Sequence, residues 1–224
     1  MARPIVLIVL DGWGVAPKLP GNPIISTATP FVDSLKKEYP NTLLKASGDA
    51  VGLPHEQAGN SEAGHINIGA GRTVEQDSLI ISKSISNGTF FQNPAFIGAV
   101  DHVKHYNSNF HIMGILSGSQ SPHMDPDHLL ALLTFVRMNK IKNVYLHLFT
   151  DGRDSYYYSG KERIKKLIEE HSKVAKVATV MGRLYLDRKK NWLRTKEAYE
   201  ALVGGKGKTF TDPLEAMHSA YTHG

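Results

Sequence analysis

The segment Val-Tyr-Leu-His-Leu-Phe-Thr-Asp-Gly-Arg-Asp, residues 144–154, joins an apolar run to a polar end. Three apolar runs in the chain end in this way, in Asp or Gly: 5–10, 144–149 and 174–181. Amphipathic stretches alternate with them, and this alternation is typical of βαβ units around a mostly parallel sheet. The sequence therefore predicts an α/β fold, with residues 5–10 as one buried strand. Open α/β sheets bind ligands at the carboxyl ends of their strands, where the polar residues stand.

Helical spacing predicts four helices, over 127–139, 161–171, 195–203 and 213–221. The start of the first is well marked, because Asp125 can cap free amide groups and Pro126 suits the first helical position. The polar segment 76–93 is a candidate connection between two lobes. No closing strand follows residue 221, so we expect an interrupted domain.

The amino-acid composition narrows the classes of protein to which this chain can belong. Hydrophobic residues make up 41% and charged residues 21% of the 224 positions, as in an ordinary globular protein. The longest apolar run, 5–10, is far short of the roughly 20 residues that cross a bilayer, so no membrane span is predicted. The absence of cysteine excludes disulfides and thiol chemistry and fits a reducing compartment, so we expect the cytoplasm. The net charge of +5 suits an anionic ligand. The sequence has no basic stripe interleaved with aromatic residues, so nucleic-acid binding is not predicted.

The most distinctive segment is Gly-Asn-Ser-Glu-Ala-Gly-His-Ile-Asn-Ile-Gly-Ala-Gly-Arg, residues 59–72, which places Ser61 among glycines. If a helix begins just after Ser61, its free amide groups and dipole favour an alkoxide or an attached phosphate. A serine in this position also commonly caps a helix without any catalytic role. The residues alone leave both interpretations open, since a nucleophile needs a base or metal to activate it.

Paired signatures give the chain a family resemblance. Val-Leu-Asp-Gly-Trp-Gly at 9–14 and Gly-Asn-Ser-Glu-Ala-Gly-His at 59–65 resemble those of cofactor-independent (2,3-bisphosphoglycerate-independent) phosphoglycerate mutases. The similarity continues through Asp-Gly-Arg-Asp at 151–154 and Met-Gly-Arg at 181–183, in the family's order. The resemblance implies interconversion of 2-phosphoglycerate and 3-phosphoglycerate, with the phosphate held transiently on the serine and two manganese ions assisting.

The resemblance also implies an architecture and a metal site. Residues 1–75 are expected to form an incomplete alkaline-phosphatase-like, metal-binding lobe. Residues 76–224 then form an inserted α/β substrate (phosphotransferase) domain that is truncated at its C-terminal end. Ser61 would be the nucleophile and, with Asp11, a ligand of one manganese ion. Spacing alone favours the alternative, in which Asp11 is a carboxylate that closes the turn at Gly12.

Substrate-binding residues follow from the same resemblance: His123, Arg153, Asp154, Arg183 and Arg188. Arg153 has the planar fork that binds phosphate or carboxylate with two hydrogen bonds. The alternative for 151–154 is an Asp-Gly turn flanked by a surface ion pair. The loop around His123 departs from the family's usual Ser-Asp-Gly-Gly-Val-His-Ser-His, and the spacing from Arg183 to Arg188 is one residue shorter than usual.

Several metal-binding Asp and His residues that the family places in its C-terminal portion have no counterpart in this sequence. An octahedral manganese site takes about six oxygen-type ligands, and Asp11 with Ser61 supplies only two. We therefore expect the chain alone to be inactive, and residues 1–75 to leave an incomplete sheet and unburied apolar surface. The open interpretations are a fragment of a mutase, a split enzyme completed by another chain, and a non-catalytic module that binds phosphorylated acids. Another alkaline-phosphatase-like phosphomutase is the rival enzyme class.

Overall fold

A computed structural model describes residues 3–17, 19–55 and 57–223. Its centre is a parallel sheet of three strands within these residues, β1 (Phe110–Leu116), β2 (Val144–Thr150) and β3 (Lys176–Gly182), in the order β1-β2-β3. Both pairings are parallel, and β2 and β3 shift register between Leu146 and His147. The strands end together because Leu116 pairs with Thr150, which pairs with Gly182. The loops that follow the three strands therefore share one edge of the sheet.

The helices of the described residues are α1 (Pro23–Ser26), α2 (Pro30–Glu38), α3 (Ser61–Ala70), α4 (Asp77–Ser86), α5 (Pro94–Tyr106), α6 (Pro126–Met138), α7 (Ser159–His171), α8 (Trp192–Gly204) and α9 (Pro213–His223). Short 3-10 turns lie at Gly48–Val51, Thr89–Gln92 and Arg183–Tyr185. The four predicted helices are confirmed as α6 to α9. Strands at 144–149 and 174–181 are confirmed as β2 and β3.

The main core lies between the sheet and the helices that cross between its strands. Helix α6 connects β1 to β2, and α7 connects β2 to β3. The start of α6 is as predicted, since the Asp125 side chain accepts a hydrogen bond from the amide of Asp127 and Pro126 is the first residue. The helix residues Phe135, Val136 and Ile164 and the β2 residue Leu146 are each at most 2% exposed and belong to one cluster. Their burial fixes the sheet that positions the polar loops.

The prediction of a buried strand over residues 5–10 is wrong. This segment has no regular secondary structure, and its exposed fractions range from 42% at Val9 to 96% at Ile5. A strand obtains its backbone hydrogen bonds and its burial from neighbouring strands. In the part of the chain that the structure describes, every strand lies between residues 110 and 182, so the segment has no neighbour to pair with.

The first 75 residues have little core of their own. Val51, Leu53 and Ala63 form a small buried cluster that is separate from the main core. The expected incomplete sheet is wrong for the described residues of this region, which contain helices and 3-10 turns only. The expected unburied apolar surface is present, since Leu43 and Leu44 are 74% and 87% exposed. The polar segment 76–93 is mostly helical, and Ser82 of α4 forms a hydrogen bond with His128 of α6.

None of the helices in residues 3–17, 19–55 and 57–223 has the length and apolar character needed to cross a bilayer.

Candidate active site

Ser61 is the first residue of α3. The cap of this helix is Asn60, whose side-chain oxygen accepts a hydrogen bond of 2.9 Å from the amide of Ala63. Because Asn60 does the capping, the Ser61 hydroxyl is not used for that purpose, and the cap interpretation of Ser61 is wrong. The hydroxyl instead donates a hydrogen bond of 2.8 Å to Oδ2 of Asp11.

Asp11 lies in a tight turn. Gly12 has φ +81°, a left-handed conformation that glycine adopts at little cost, and the amide of Trp13 donates to the carbonyl of Leu10. This turn aims the Asp11 carboxylate at the start of α3. Both Asp11 and Ser61 are exposed, so a ligand can reach them from solvent.

His65 adds a contact that the sequence did not predict. Its Nδ1 lies 2.8 Å from the carbonyl oxygen of Ser61, a geometry in which Nδ1–H donates. The same nitrogen is 3.2 Å from the Ser61 hydroxyl oxygen. The i to i+4 spacing of a helix was the available signal, since it places both side chains on one face. Ser61 Oγ therefore lies between the Asp11 carboxylate, which accepts its hydrogen bond, and the imidazole ring of His65.

The oxygen atoms of Asp11 and Ser61 are of the kind that manganese prefers, but they are too few. An octahedral ion takes about six ligands, and one carboxylate with one hydroxyl leaves most positions unfilled. Over residues 3–17, 19–55 and 57–223, no three His, Asp or Glu side chains gather closely enough to hold a metal ion. The described residues therefore do not form a metal site by themselves.

A second polar cluster lies at the shared edge of the sheet, with one residue following each strand. Asp151 follows β2 and is 3% exposed. Its Oδ2 accepts a hydrogen bond of 2.5 Å from Ser117, which follows β1. Its Oδ1 accepts one of 3.0 Å from the Arg183 guanidinium, which follows β3. The backbone amides of Gly152, Arg153 and Asp154 also donate to Oδ1. Asp151 thus fixes the loop 152–154 and joins all three strand ends.

These contacts set the ionisation of the cluster. Burial by itself raises the pKa of Asp151, but the hydrogen bonds from Ser117, from the amides of Arg153 and Asp154, and from Arg183 outweigh it and hold the pKa far below its usual value. Burial likewise lowers the pKa of Arg183, and its bonds to Asp154 and Asp151 more than reverse that effect. The ion pair here therefore joins a buried carboxylate to a half-buried guanidinium, and the interpretation of 151–154 as a turn with a surface ion pair is wrong in that respect.

Three of the residues implied by the resemblance meet beside this cluster. Arg183 donates a hydrogen bond of 2.5 Å to Oδ2 of Asp154, and Nε2 of His123 lies 4.0 Å from the same oxygen. Arg153 and Arg188 are exposed and form no ion pair within the described residues. The structure thus brings His123, Asp154 and Arg183 together and leaves the other two arginines directed to solvent.

Gln57 connects the region before Ser61 to the loop after β1. It is 6% exposed, and its Nε2 donates a hydrogen bond of 2.9 Å to the carbonyl of the fully buried Ser121. The amide of His123 in turn donates to the Ser121 hydroxyl. Sequence reasoning missed Gln57, Ser117 and Asp151 as structural members of the site. Only Asp151 had a signal, since it ends an apolar run.

The fold and the site define an α/β protein that carries charged side chains at the carboxyl ends of parallel strands and a serine at a helix start. Residues 81–224 match the family described as BPG-independent PGAM N-terminus. The chain therefore belongs to the family of 2,3-bisphosphoglycerate-independent phosphoglycerate mutases and corresponds to its N-terminal portion.

Relatives and a solved structure agree with this assignment. The chain is 48% identical over 224 residues to 2,3-bisphosphoglycerate-independent phosphoglycerate mutase of Chloroflexus aggregans, covering 99% of the chain and 41% of the relative. It is 44% identical to the enzyme of the same name in Methanococcoides burtonii, with 99% and 43% coverage. A Leishmania mexicana phosphoglycerate mutase crystal structure at low cobalt concentration shares the fold, with a TM-score of 0.82 and 24% identity over 94% of this chain and 40% of that one. The chain thus spans less than half the length of these proteins.

Proposed function

We propose that this chain supplies the nucleophile and part of the substrate site of a phosphoglycerate mutase, which interconverts 2-phosphoglycerate and 3-phosphoglycerate through a phosphoserine at Ser61. The observation that carries the proposal is the hydrogen bond from the Ser61 hydroxyl to Asp11 at the start of α3. The hydroxyl has an acceptor for its proton, and the helix start favours the negative charge of a bound phosphate.

In this proposal, Ser61 Oγ forms a bond to the phosphorus as the bond between the phosphorus and the glycerate oxygen breaks. The proton of the Ser61 hydroxyl passes to Asp11, its hydrogen-bond acceptor, and the glycerate oxygen takes up a proton. In the second step the other glycerate hydroxyl loses its proton and its oxygen bonds to the phosphorus, while the bond from the phosphorus to Ser61 Oγ breaks and Oγ regains a proton. Asp11 and Ser61 would be two ligands of a manganese ion whose remaining ligands would come from outside the described residues. Such an ion would lower the pKa of a coordinated alcohol.

The strand-end residues bind the substrate's anionic groups. Exposed Arg153 and Arg188 have unpaired guanidinium groups in the described part of the chain, and His123 stands beside Asp154. Arg183 is held in place by Asp151 and Asp154 through NH1, which leaves its other N–H groups for a ligand. Charge-assisted hydrogen bonds contribute about 1.5–3 kcal/mol each, so several are needed to orient a small anion.

We further propose a division between a metal-binding region, 1–75, and a substrate domain, 76–224, in a cytoplasmic protein. The two separate buried clusters support this division, as does a family match that begins at residue 81. The Ser61 region offers two metal donors, so the chain alone is inactive and requires a further portion or a complementing chain. A non-catalytic module that binds phosphorylated acids is the second candidate, favoured by the strand-end cluster, which is assembled within this chain.

The test combines this chain with the part of the Chloroflexus aggregans relative that the match does not cover. We expect no turnover of 3-phosphoglycerate by the chain with manganese, turnover by the mixture, and phosphate on Ser61 in the mass spectrum of the trapped mixture. Ser61→Ala removes both signals, whereas Ser34→Ala keeps them, since Ser34 is a half-buried serine of α2 whose hydroxyl donates to the carbonyl of Phe31. Equal activity of the Ser61→Ala mixture and the unchanged mixture contradicts the proposal.

A further inference from the structure

The guanidinium group of Arg163, in α7, has no partner among the described residues. Its Nε is fully buried and has no hydrogen bond, and none of the described residues forms an ion pair with it. A buried donor that gives up water without gaining a partner costs about 1–3 kcal/mol, and more when the group is charged. Native structures contain few such groups. The buried Nε of Arg163 therefore requires an explanation.

Other half-buried arginines in the described chain do have partners. Arg183 pairs with Asp151 and Asp154, and Arg194 pairs with Asp187. Arg163 is half-buried like both of them, but no carboxylate of the described residues pairs with it. Its aliphatic stem can pack without a counter-ion, but its buried Nε–H has no acceptor.

The Arg163 guanidinium lies near the polar cluster formed by Ser117, Asp151, Asp154 and Arg183, here called the strand-end site. It lies against Gly118, which follows β1 by two residues, so closely that a Cβ at Gly118 would be 2.9 Å from NH2 of Arg163. Gly118 begins a turn in which its carbonyl accepts a hydrogen bond of 3.0 Å from the amide of Ser121. The Ser121 hydroxyl is 3.5 Å from Oδ2 of Asp154. The turn 118–121 therefore contacts Arg163 through its first residue, Gly118, and Asp154 through its last residue, Ser121.

We propose that Arg163 is an additional anion-binding residue of the strand-end site, where its guanidinium binds a phosphate or carboxylate group of the phosphorylated acid. This inference rests on the proposed function, whose substrate carries both kinds of anion. Guanidinium groups bind these anions with two parallel hydrogen bonds, and the terminal N–H groups of Arg163, which no described residue pairs, can donate them. Gly118 belongs to the arrangement because a larger residue would displace the guanidinium.

The experiment uses the full chain labelled with ¹⁵N and titrated with 3-phosphoglycerate and, separately, with inorganic phosphate. The Nε–H resonance of Arg163 is assigned by its disappearance in Arg163→Lys. We expect this resonance to shift on addition of 3-phosphoglycerate with the same dissociation constant as the resonance of Arg153. Inorganic phosphate is expected to shift it at higher concentration.

Binding of 3-phosphoglycerate to variants, measured by calorimetry, completes the test. Arg163→Gln is expected to weaken binding by about tenfold or more, because it removes a charge-assisted contact. Arg137→Gln is the matched control, since Arg137 is exposed on α6 and the charge change is identical. Arg163→Lys keeps the charge without the fork and is expected to fall between them, and it replaces Arg163→Gln if the latter does not fold.

Two results overturn the inference and are distinguishable from each other. If Arg153→Gln weakens binding but Arg163→Gln behaves like Arg137→Gln, Arg163 is a structural brace for Gly118 and the proposed substrate site stands. If no arginine resonance shifts and the unchanged chain binds neither anion, the inference fails together with the proposed binding role of this chain.

Discussion

The hydroxyl oxygen of Ser61 lies 2.8 Å from a carboxylate oxygen of Asp11, although 50 positions separate the two residues. The sequence placed Asp11 at the end of a buried strand and Ser61 beside a helix start. The structure keeps the pairing and the helix start but not the strand. The turn at Gly12 and the cap at Asn60 orient the two side chains locally, and the tertiary structure brings them together.

Substitution of the helix cap, Asn60, and of the proposed nucleophile, Ser61, should have different effects on the stability of the chain. Asn60→Ala is expected to lower the free energy of unfolding by about 1 kcal/mol, because it removes the side-chain acceptor for the amide of Ala63. Ser61→Ala is expected to change it by less than about 0.5 kcal/mol, since Ser61 is exposed and does not cap α3. Urea denaturation of both variants measures the difference, and an equal loss in the two would show that Ser61 is structural.

The pH dependence of stability should report the ionisation of Asp151. The pKa of this carboxyl is lower in the folded chain than in the unfolded chain, so the unfolded state binds the proton first as pH falls. The stabilisation is therefore complete above the ordinary value of 3.8 and is lost progressively as pH falls below it. Thermal unfolding between neutral pH and strong acid should show this loss.

Asp151→Asn provides the matched test of this buried contact. At neutral pH it should cost about 3–5 kcal/mol, because it leaves the Arg183 charge partly buried with one fewer carboxylate. The variant should also lose the part of the acid dependence that belongs to Asp151. Glu170→Gln is the control, since Glu170 pairs with Lys166 on the surface and such pairs contribute about 0–1 kcal/mol. An acid profile unchanged by Asp151→Asn would contradict the assignment.

The exposed apolar segment 5–10 should make the chain associate. Ile5 and Ile8 are 96% and 76% exposed, and contiguous apolar surface of this kind promotes self-association. The double substitution Ile5→Lys, Ile8→Lys should reduce oligomer formation in sedimentation velocity and change the free energy of unfolding by less than about 0.5 kcal/mol. By contrast, Leu146→Ala at 2% exposure should cost about 2–5 kcal/mol. A large loss of stability in the double variant would mean that segment 5–10 is packed.

Much of the sheet and its helices could be predicted because their signals are local. The apolar run 144–149 is bounded by polar residues, and Asp125 with Pro126 marks the start of α6. The same reasoning failed for 5–10, whose composition is also that of a buried strand. Periodicity reports which residues avoid water, but it does not report whether a neighbouring strand is present to pair with them.

The sequence by itself determined the α/β class, the start of α6 and the family signatures around Ser61 and Asp151. The tertiary structure alone decided which side chains meet: Asp11 with Ser61, Asp151 with Ser117 and Arg183, and Arg163 with Gly118. The physical reason is distance along the chain. Capping and helical spacing act over a few residues, whereas these contacts join residues brought together only when parallel strands end at one edge of a sheet or a turn closes onto a helix start.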